Sequence, residues 1–168
     1  MRYITICESP LGPLILVSGE ERLHGLYIGM GQNCSSTGVV ITTENHPVLR
    51  LTVSWLERYF SGQRPEPGEL PLAPRGTEFQ QRVWKLLENI PYGQTRTYGE
   101  LARCLGERMS AQAVGQAVGR NPIAIILPCH RVLGAGGKLT GFSAGLPAKQ
   151  WLLKHEGICF DAELSGLK

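Results

Sequence analysis

Polar and apolar positions alternate at the start of the chain and recur every three to four residues further on. This change of period divides the sequence. Tyr3-Ile4-Thr5-Ile6-Cys7-Glu8 alternates in character, Ser9-Pro10-Leu11-Gly12 makes a turn, and Leu14-Ile15-Leu16-Val17-Ser18 follows, a pattern that predicts a hairpin. Gly19-Glu20-Glu21 turns the chain into a third strand over residues 23–28, so an antiparallel meander opens the protein. Residues 29–37, rich in Gly, Asn and Ser, are expected to form a loop, and residues 39–42 a further strand. From Pro47 the period becomes helical. Val48, Leu51, Trp55, Leu56, Tyr59 and Phe60 form one apolar face, and Gly62 is placed to end the helix.

Residues 61–75 hold Gly62, Pro65, Pro67, Gly68, Pro71 and Pro74, too many breakers for a regular element, and read as a linker. Beyond it, Thr77-Glu78-Phe79-Gln80 has capping-box form and starts a helix with Phe79, Val83, Trp84, Leu87 and Ile90 at core spacing. Pro91-Tyr92-Gly93 stops it. A short helix over residues 97–105, a turn at Gly106, and a third helix over residues 111–119 capped by Ser110 make a helix-turn-helix. The second helix of that pair carries small side chains. These reach no base edges in a major groove but suit close approach to a backbone or a shallow minor groove. Pro147 opens the last helix, with Trp151, Leu152 and Leu153, and Gly157 ends it. The expected fold is α+β. Residues 1–75 form a scaffold lobe with a small antiparallel sheet, a helix and the linker, and residues 76–168 form a mostly helical lobe.

Composition adds bounds. With 168 residues, 42% of them hydrophobic and 18% charged, the chain can bury a core. Its longest apolar run, Ile123 to Leu127, is too short to span a bilayer, so no membrane segment is expected. Five scattered cysteines without a leading secretory signal suit a reducing cytosol. No CxxC pair or histidine pair stands at ligand spacing, so neither a metal nor a cofactor is expected. Residues 1–75 hold six basic against seven acidic side chains, and residues 76–168 hold eleven against seven. The positive charge of the second part fits a polyanion site and a solvated surface equally well.

The chemistry gathers at Pro128-Cys129-His130-Arg131-Val132. A thiol followed by two cationic side chains sits in a field that favours thiolate, the nucleophilic form. Upstream, the Asn121 side chain is suited to bracing the segment that follows it. Downstream, the loop over residues 134–145 carries Phe142 and Ser143 and can wall a pocket. Glu156 ends a helix, where a carboxylate opposes the macrodipole unless a cation or donor holds it.

Pro128-Cys129-His130-Arg131-Val132, Arg120-Asn121-Pro122, Thr97-Tyr98-Gly99 and Leu152-Leu153-Lys154-His155-Glu156-Gly157, in this order, resemble the O6-alkylguanine-DNA alkyltransferases, the methylated-DNA–protein-cysteine methyltransferases. The match is dense over residues 76–157, and the Ser9-Pro10-Leu11-Gly12 hairpin fits the family's first lobe. The resemblance implies a ribonuclease H-like first lobe, a winged-helix-like second lobe and direct-reversal repair. Cys129 would take the alkyl group from O6 of a guanine, possibly also from O4 of a thymine, in one irreversible displacement. His130 would accept the thiol proton through a water, since neighbours on an extended chain point apart, with Glu156 fixing the other ring nitrogen. Tyr98 would protonate the departing base and help to rotate the nucleotide out of the duplex. Phe142, Ser143 and the backbone of Cys129 and Val132 would hold the base, and Asn121 would brace the turn.

Ser110, Ala111, Gln112, Ala113, Gly115 and Arg120 would meet the DNA. The family commonly carries an arginine where this chain has Gln112, fourteen positions after Tyr98, and the substitution removes a charge from the side chain that enters the stack. The implied partner is double-stranded DNA containing O6-alkylguanine, bound by a monomer in the cytoplasm, at the nucleoid or in a nucleus. A Cys-His hydrolase would leave the helix-turn-helix idle, and a non-repairing lesion sensor would need no acceptor cysteine.

Overall fold

The structure, a computed structural model, describes residues 1–29, 40–106 and 108–160. The elements run β1 (Arg2–Cys7), β2 (Leu14–Ser18), β3 (Leu23–Ile28), β4 (Val40–Thr42), α1 (Pro47–Phe60), α2 (Glu78–Glu88), β5 (Arg96–Thr97), α3 (Tyr98–Leu105), α4 (Ala111–Gly119), β6 (Val132–Leu133) and α5 (Leu146–His155). The chain divides into two compact units, one of Met1–Arg75 with Pro122–Ile126 and one of Gly76–Asn121 with Leu127–Lys168.

In the first unit the sheet has the order β3-β2-β1-β4. The β1–β2 hairpin closes through Ser9, whose hydroxyl donates to the Gly12 carbonyl at 2.7 Å while Gly12 takes φ +90°, a conformation suited to glycine. β4 pairs parallel to β1, so the sheet is mixed rather than purely antiparallel. Alternation has the same period in both orientations, and the pattern alone cannot distinguish them. The loop expected over residues 29–37 lies, from residue 30 on, outside the described residues.

Helix α1 buries Val48, Leu49, Thr52, Trp55, Leu56 and Tyr59. Leu51, expected on that face, is instead 54% exposed, and Thr52 takes the interior position. Its hydroxyl donates to the Val48 carbonyl at 2.8 Å, which satisfies the polar group inside the helix.

The proline-rich stretch is no free linker. Leu23 N–H donates to the Pro71 carbonyl and Ala73 N–H to the Leu23 carbonyl, both at 2.8 Å. Further along, Leu26 N–H donates to the Pro122 carbonyl at 2.9 Å and Ala124 N–H to the Leu26 carbonyl at 3.2 Å. Two irregular segments thus cover the outer edge of β3. Proline is suited there because it offers a carbonyl and leaves no N–H unpaired.

In the second unit, three helices start on side-chain caps. Thr77 and Gln80 close a capping box on α2, at 3.1 and 3.0 Å, and Thr97 and Glu100 close the same box on α3. Ser110 accepts from Ala113 N–H at 3.0 Å on α4. Helix α2 buries Val83, Trp84 and Leu87, and the Trp84 indole donates to the Ala117 carbonyl of α4 at 2.9 Å. Helix α4 buries Val114, Ala117 and Val118 and leaves Ala111, Gln112 and Gln116 exposed. β5 and β6 pair in parallel, setting Arg96 beside Val132 and Thr97 beside Leu133. Tyr98 therefore starts its helix next to the turn that carries Cys129.

Removing the α3 cap by Thr97→Ala is expected to lower unfolding free energy by about 1 kcal/mol in urea titrations, whereas Leu51→Ala on the exposed side of α1 stays within about 0.5 kcal/mol.

Candidate active site

Two tight turns deliver the cysteine. Ile126 N–H donates to the Ala124 carbonyl at 2.8 Å across Ile125, which is held at φ 71°. A β-branched residue in that conformation stores on the order of 1–3 kcal/mol of strain, maintained here by burial. Cys129 N–H then donates to the Leu127 carbonyl at 2.7 Å across Pro128, whose φ −79° and ψ 66° make an inverse γ-turn. The same Leu127 carbonyl accepts from Asn121 Nδ2 at 2.8 Å, so Asn121 does brace this turn. Cys129, His130 and Arg131 continue as a 3-10 turn and not as the extended chain expected, because the fixed proline φ curls the backbone before the thiol is reached.

All three side chains are buried, and two of them converge on Glu156. His130 Nε2 lies 2.5 Å from Glu156 Oε2, Arg131 Nε donates to Oε1 at 2.7 Å, and Arg131 Nη2 donates to Oε2 at 3.2 Å. Gly93 N–H adds a third donor to Oε1 at 3.1 Å. Arg131 also donates from Nη1 to the Ile90 carbonyl at 2.6 Å and stands over the Tyr92 ring, 5.6 Å from its centroid. This arrangement answers the macrodipole problem at the end of α5, and it makes Arg131 an internal strut and not a phosphate contact. Burial alone would raise the Glu156 pKa, but the bonds and charges of His130 and Arg131 outweigh it and hold the carboxylate far below its ordinary range.

Burial lowers the His130 pKa against the pull of Glu156, so the imidazole is neutral. An ionised carboxylate only accepts, which makes Nε2 the donor and leaves Nδ1 with a free lone pair. Nδ1 is buried and has no hydrogen-bond partner among the described residues.

Cys129 is 5% exposed, and burial raises its pKa. A hydrogen bond from the Asn121 side chain, the Lys149 charge and bonds from the Cys129 and His130 backbone pull the other way without overcoming it. The resting group is therefore the thiol, contrary to the thiolate expected from its cationic neighbours: Arg131 spends its charge on Glu156, and His130 carries none.

The sulfur faces a cavity of about 170 Å³ lined by Tyr98, Gly115, Val118, Gly119, Cys129, Gly141, Phe142 and Ser143. Burial keeps Tyr98 protonated above its ordinary range, and its hydroxyl accepts from Thr140 Oγ1 at 3.4 Å. Gly115 allows the close approach of that ring, since a Cβ there would stand 3.6 Å from Tyr98 Cδ1. Val132 closes the turn by donating its N–H to the Cys129 carbonyl. Both expected backbone donors, Cys129 N–H and Val132 N–H, are thus engaged inside the turn, and what those residues can still offer a ligand is carbonyl oxygen.

An open groove of about 600 Å³ adjoins the cavity along Tyr98 and Gly115 and is rimmed by Ala111, Gln112 and Arg103. Ser110 and Arg120 bound α4 at its two ends, both exposed, and Ala113 lies half-buried on it. No group of three or more potential metal ligands occurs among the described residues.

Sequence reasoning missed Lys149. It is fully buried in α5, with Nζ donating to the carbonyls of Val132 at 2.7 Å, Thr140 at 2.8 Å and Gly141 at 3.4 Å. A signal existed: Lys149, Leu152, Leu153 and Glu156 share the i, i+3, i+4, i+7 spacing of one helical face, and that face is the buried one.

Comparison with known proteins agrees with this architecture. A family model described as the 6-O-methylguanine DNA methyltransferase, DNA binding domain, matches residues 78–158, and one described as its ribonuclease-like domain matches residues 1–74. A methylated-DNA–protein-cysteine methyltransferase of Methanosarcina acetivorans is 48% identical and covers 94% of this chain and 99% of its own length. One of Mycobacterium bovis is 44% identical over 98% of each chain. The structure of Mycobacterium tuberculosis OGT in complex with DNA superposes with a TM-score of 0.82 at 44% identity, covering 92% of both chains. Two family models that together span nearly the whole chain, and relatives matched over their full length, establish that it belongs to the 6-O-methylguanine DNA methyltransferase family.

Proposed function

We infer that the protein is a methylated-DNA–protein-cysteine methyltransferase that removes the alkyl group from O6-alkylguanine in double-stranded DNA by direct reversal. The observation that carries this reading is a buried thiol at the floor of a small cavity, with a neutral imidazole anchored by a carboxylate behind it and a protonated tyrosine in the wall. The cavity falls short of the roughly 300–1,000 Å³ of pockets for drug-sized ligands, and it suits one planar base.

The roles follow from the geometry. A base turned out of the duplex enters past Tyr98 and lies against Phe142, with Ser143 at its edge and the Cys129 and Val132 carbonyls accepting from it. His130 Nδ1 takes the thiol proton through a water, and the sulfur attacks the alkyl carbon. The S–C bond forms as the C–O6 bond breaks, its electron pair passes to the guanine, and Tyr98 supplies the proton that neutralises the base. A thioether is a poor leaving group, so each molecule acts once.

The Ser110–Gly115 face of α4 and Arg120 meet the minor groove, where the small residues let the helix approach, and Gln112 fills the space left by the flipped base. The protein works as a monomer where DNA is housed. No helix among the described residues is long and apolar enough to cross a membrane.

Incubation with a duplex containing one O6-methylguanine, followed by peptide mass analysis, is expected to find a single methyl on Cys129 and no turnover beyond one equivalent. Multiple turnovers with a free thiol would identify a hydrolase. Cys129→Ser abolishes transfer and keeps duplex binding. Gln112→Arg returns a cation to the position that enters the stack, and lesion-duplex affinity is expected to rise by about tenfold, read by fluorescence anisotropy. Arg131→Met leaves Glu156 buried with one partner, so unfolding free energy at pH 7 drops by about 3–5 kcal/mol. In the wild type the depressed Glu156 pKa gives a contribution that is complete above about pH 5 and is lost as pH falls below it, which acid titration of stability will show.

A further inference from the structure

We propose that Lys149 is a positioning residue for the transfer reaction: its ammonium fastens the loop bearing Phe142 and Ser143 to the Cys129 turn and supplies the positive charge beside the thiol. The assignment rests on the repair reading above. Its basis is geometric. A lysine is among the side chains least often fully buried, and Lys149 has no exposure at all. No carboxylate neutralises it; its three N–H donors go to three carbonyls instead. One belongs to Val132, directly after the Cys-His-Arg turn, and the other two to Thr140 and Gly141, directly before Phe142. The cation therefore joins the two segments that carry the reacting sulfur and the far wall of the cavity, whose lining includes Gly141, Phe142 and Ser143.

A clamp alone could be built from a neutral donor, and the charge has its own effect. Burial lowers the Lys149 pKa to about 8, so the group remains mostly protonated at neutral pH, and the thiolate of Cys129 opposes that fall. The influence is reciprocal, since the Lys149 charge lowers the Cys129 pKa. It also disfavours a second cation at His130, the other titratable group that it reaches. With Arg131 committed to Glu156, Lys149 is the cation left to stabilise the thiolate as the proton departs. It also helps to keep His130 neutral and able to receive that proton.

Lys149→Met removes the charge and the donors at similar volume, and Lys149→Arg keeps the charge while replacing the compact ammonium by a planar fork. The rate of Cys129 carboxymethylation by iodoacetamide is followed against pH, with the modified peptide identified by mass. For Lys149→Met the midpoint is expected to rise by about one unit, which slows the reaction at pH 7 about tenfold, and single-turnover methyl transfer is expected to slow at least as much. Lys149→Arg restores the iodoacetamide profile while transfer stays slow, because the loop is no longer held in register. A folded Lys149→Met protein with the wild-type profile overturns the proposal.

Should Lys149→Met not fold, NMR titration of the Lys149 side chain in the wild type and in Cys129→Ser decides the point. The midpoint falls in the serine variant if the two groups are coupled, and equal midpoints refute the coupling. Failure of the wild type to accept methyl from the lesion duplex would defeat the repair reading alone, because the iodoacetamide and NMR arms use no DNA.

Discussion

Glu156 is a carboxylate with no solvent around it, and the second unit is arranged so that it can stay ionised. Isolating such a charge in a protein interior costs several kcal/mol, and only partners of opposite charge and well-aimed donors offset it. The partners come from separate stretches of chain: His130 and Arg131 from the turn, Gly93 from the end of α2, Glu156 itself from the end of α5. Satisfying one carboxylate therefore fixes the mutual placement of three segments. It also selects the tautomer of His130, and with it the nitrogen that can act as a base. Structure and reactivity share one electrostatic origin.

A second buried charge sits on the same helix one face-repeat earlier. Lys149 and Glu156, seven residues apart, are both turned inward, and each is satisfied by the segment around Cys129 rather than by the other. Helix α5 thus holds the turn by a cation at one point and an anion at another. Either charge alone would leave the turn free to pivot. Together they set its position and its orientation, while Asn121 fixes the carbonyl just before it.

Much of this was legible in the sequence. Helical periodicity located α1 through α5, the Thr77 box marked the start of α2, and Ser110 the start of α4. The brace by Asn121 and the anchoring of His130 by Glu156 followed from the resemblance of four short motifs to a known family. What escaped has a common physical cause: it depends on where backbone carbonyls point. The parallel pairing of β4, the β-edge role of Pro71 and Pro122, the curl at Pro128 and the carbonyl cage of Lys149 are all carbonyl placements, and side-chain patterns do not encode them. The thiolate expected at Cys129 failed for a related reason. Adjacency in sequence suggested that Arg131 and His130 would charge the sulfur's surroundings, whereas the fold turns both toward Glu156 and leaves desolvation as the dominant influence.

That desolvation bears on how long the protein keeps. A molecule that reacts once has to wait intact for an encounter that comes seldom, in surroundings that contain peroxides and other electrophiles. Oxidation to sulfenic acid requires thiolate character and access, and Cys129 at rest offers little of either, whereas Cys104 and Cys159 stand exposed. Its low resting reactivity is a form of storage, and the capacity for attack is released only when a base fills the cavity and the proton can leave.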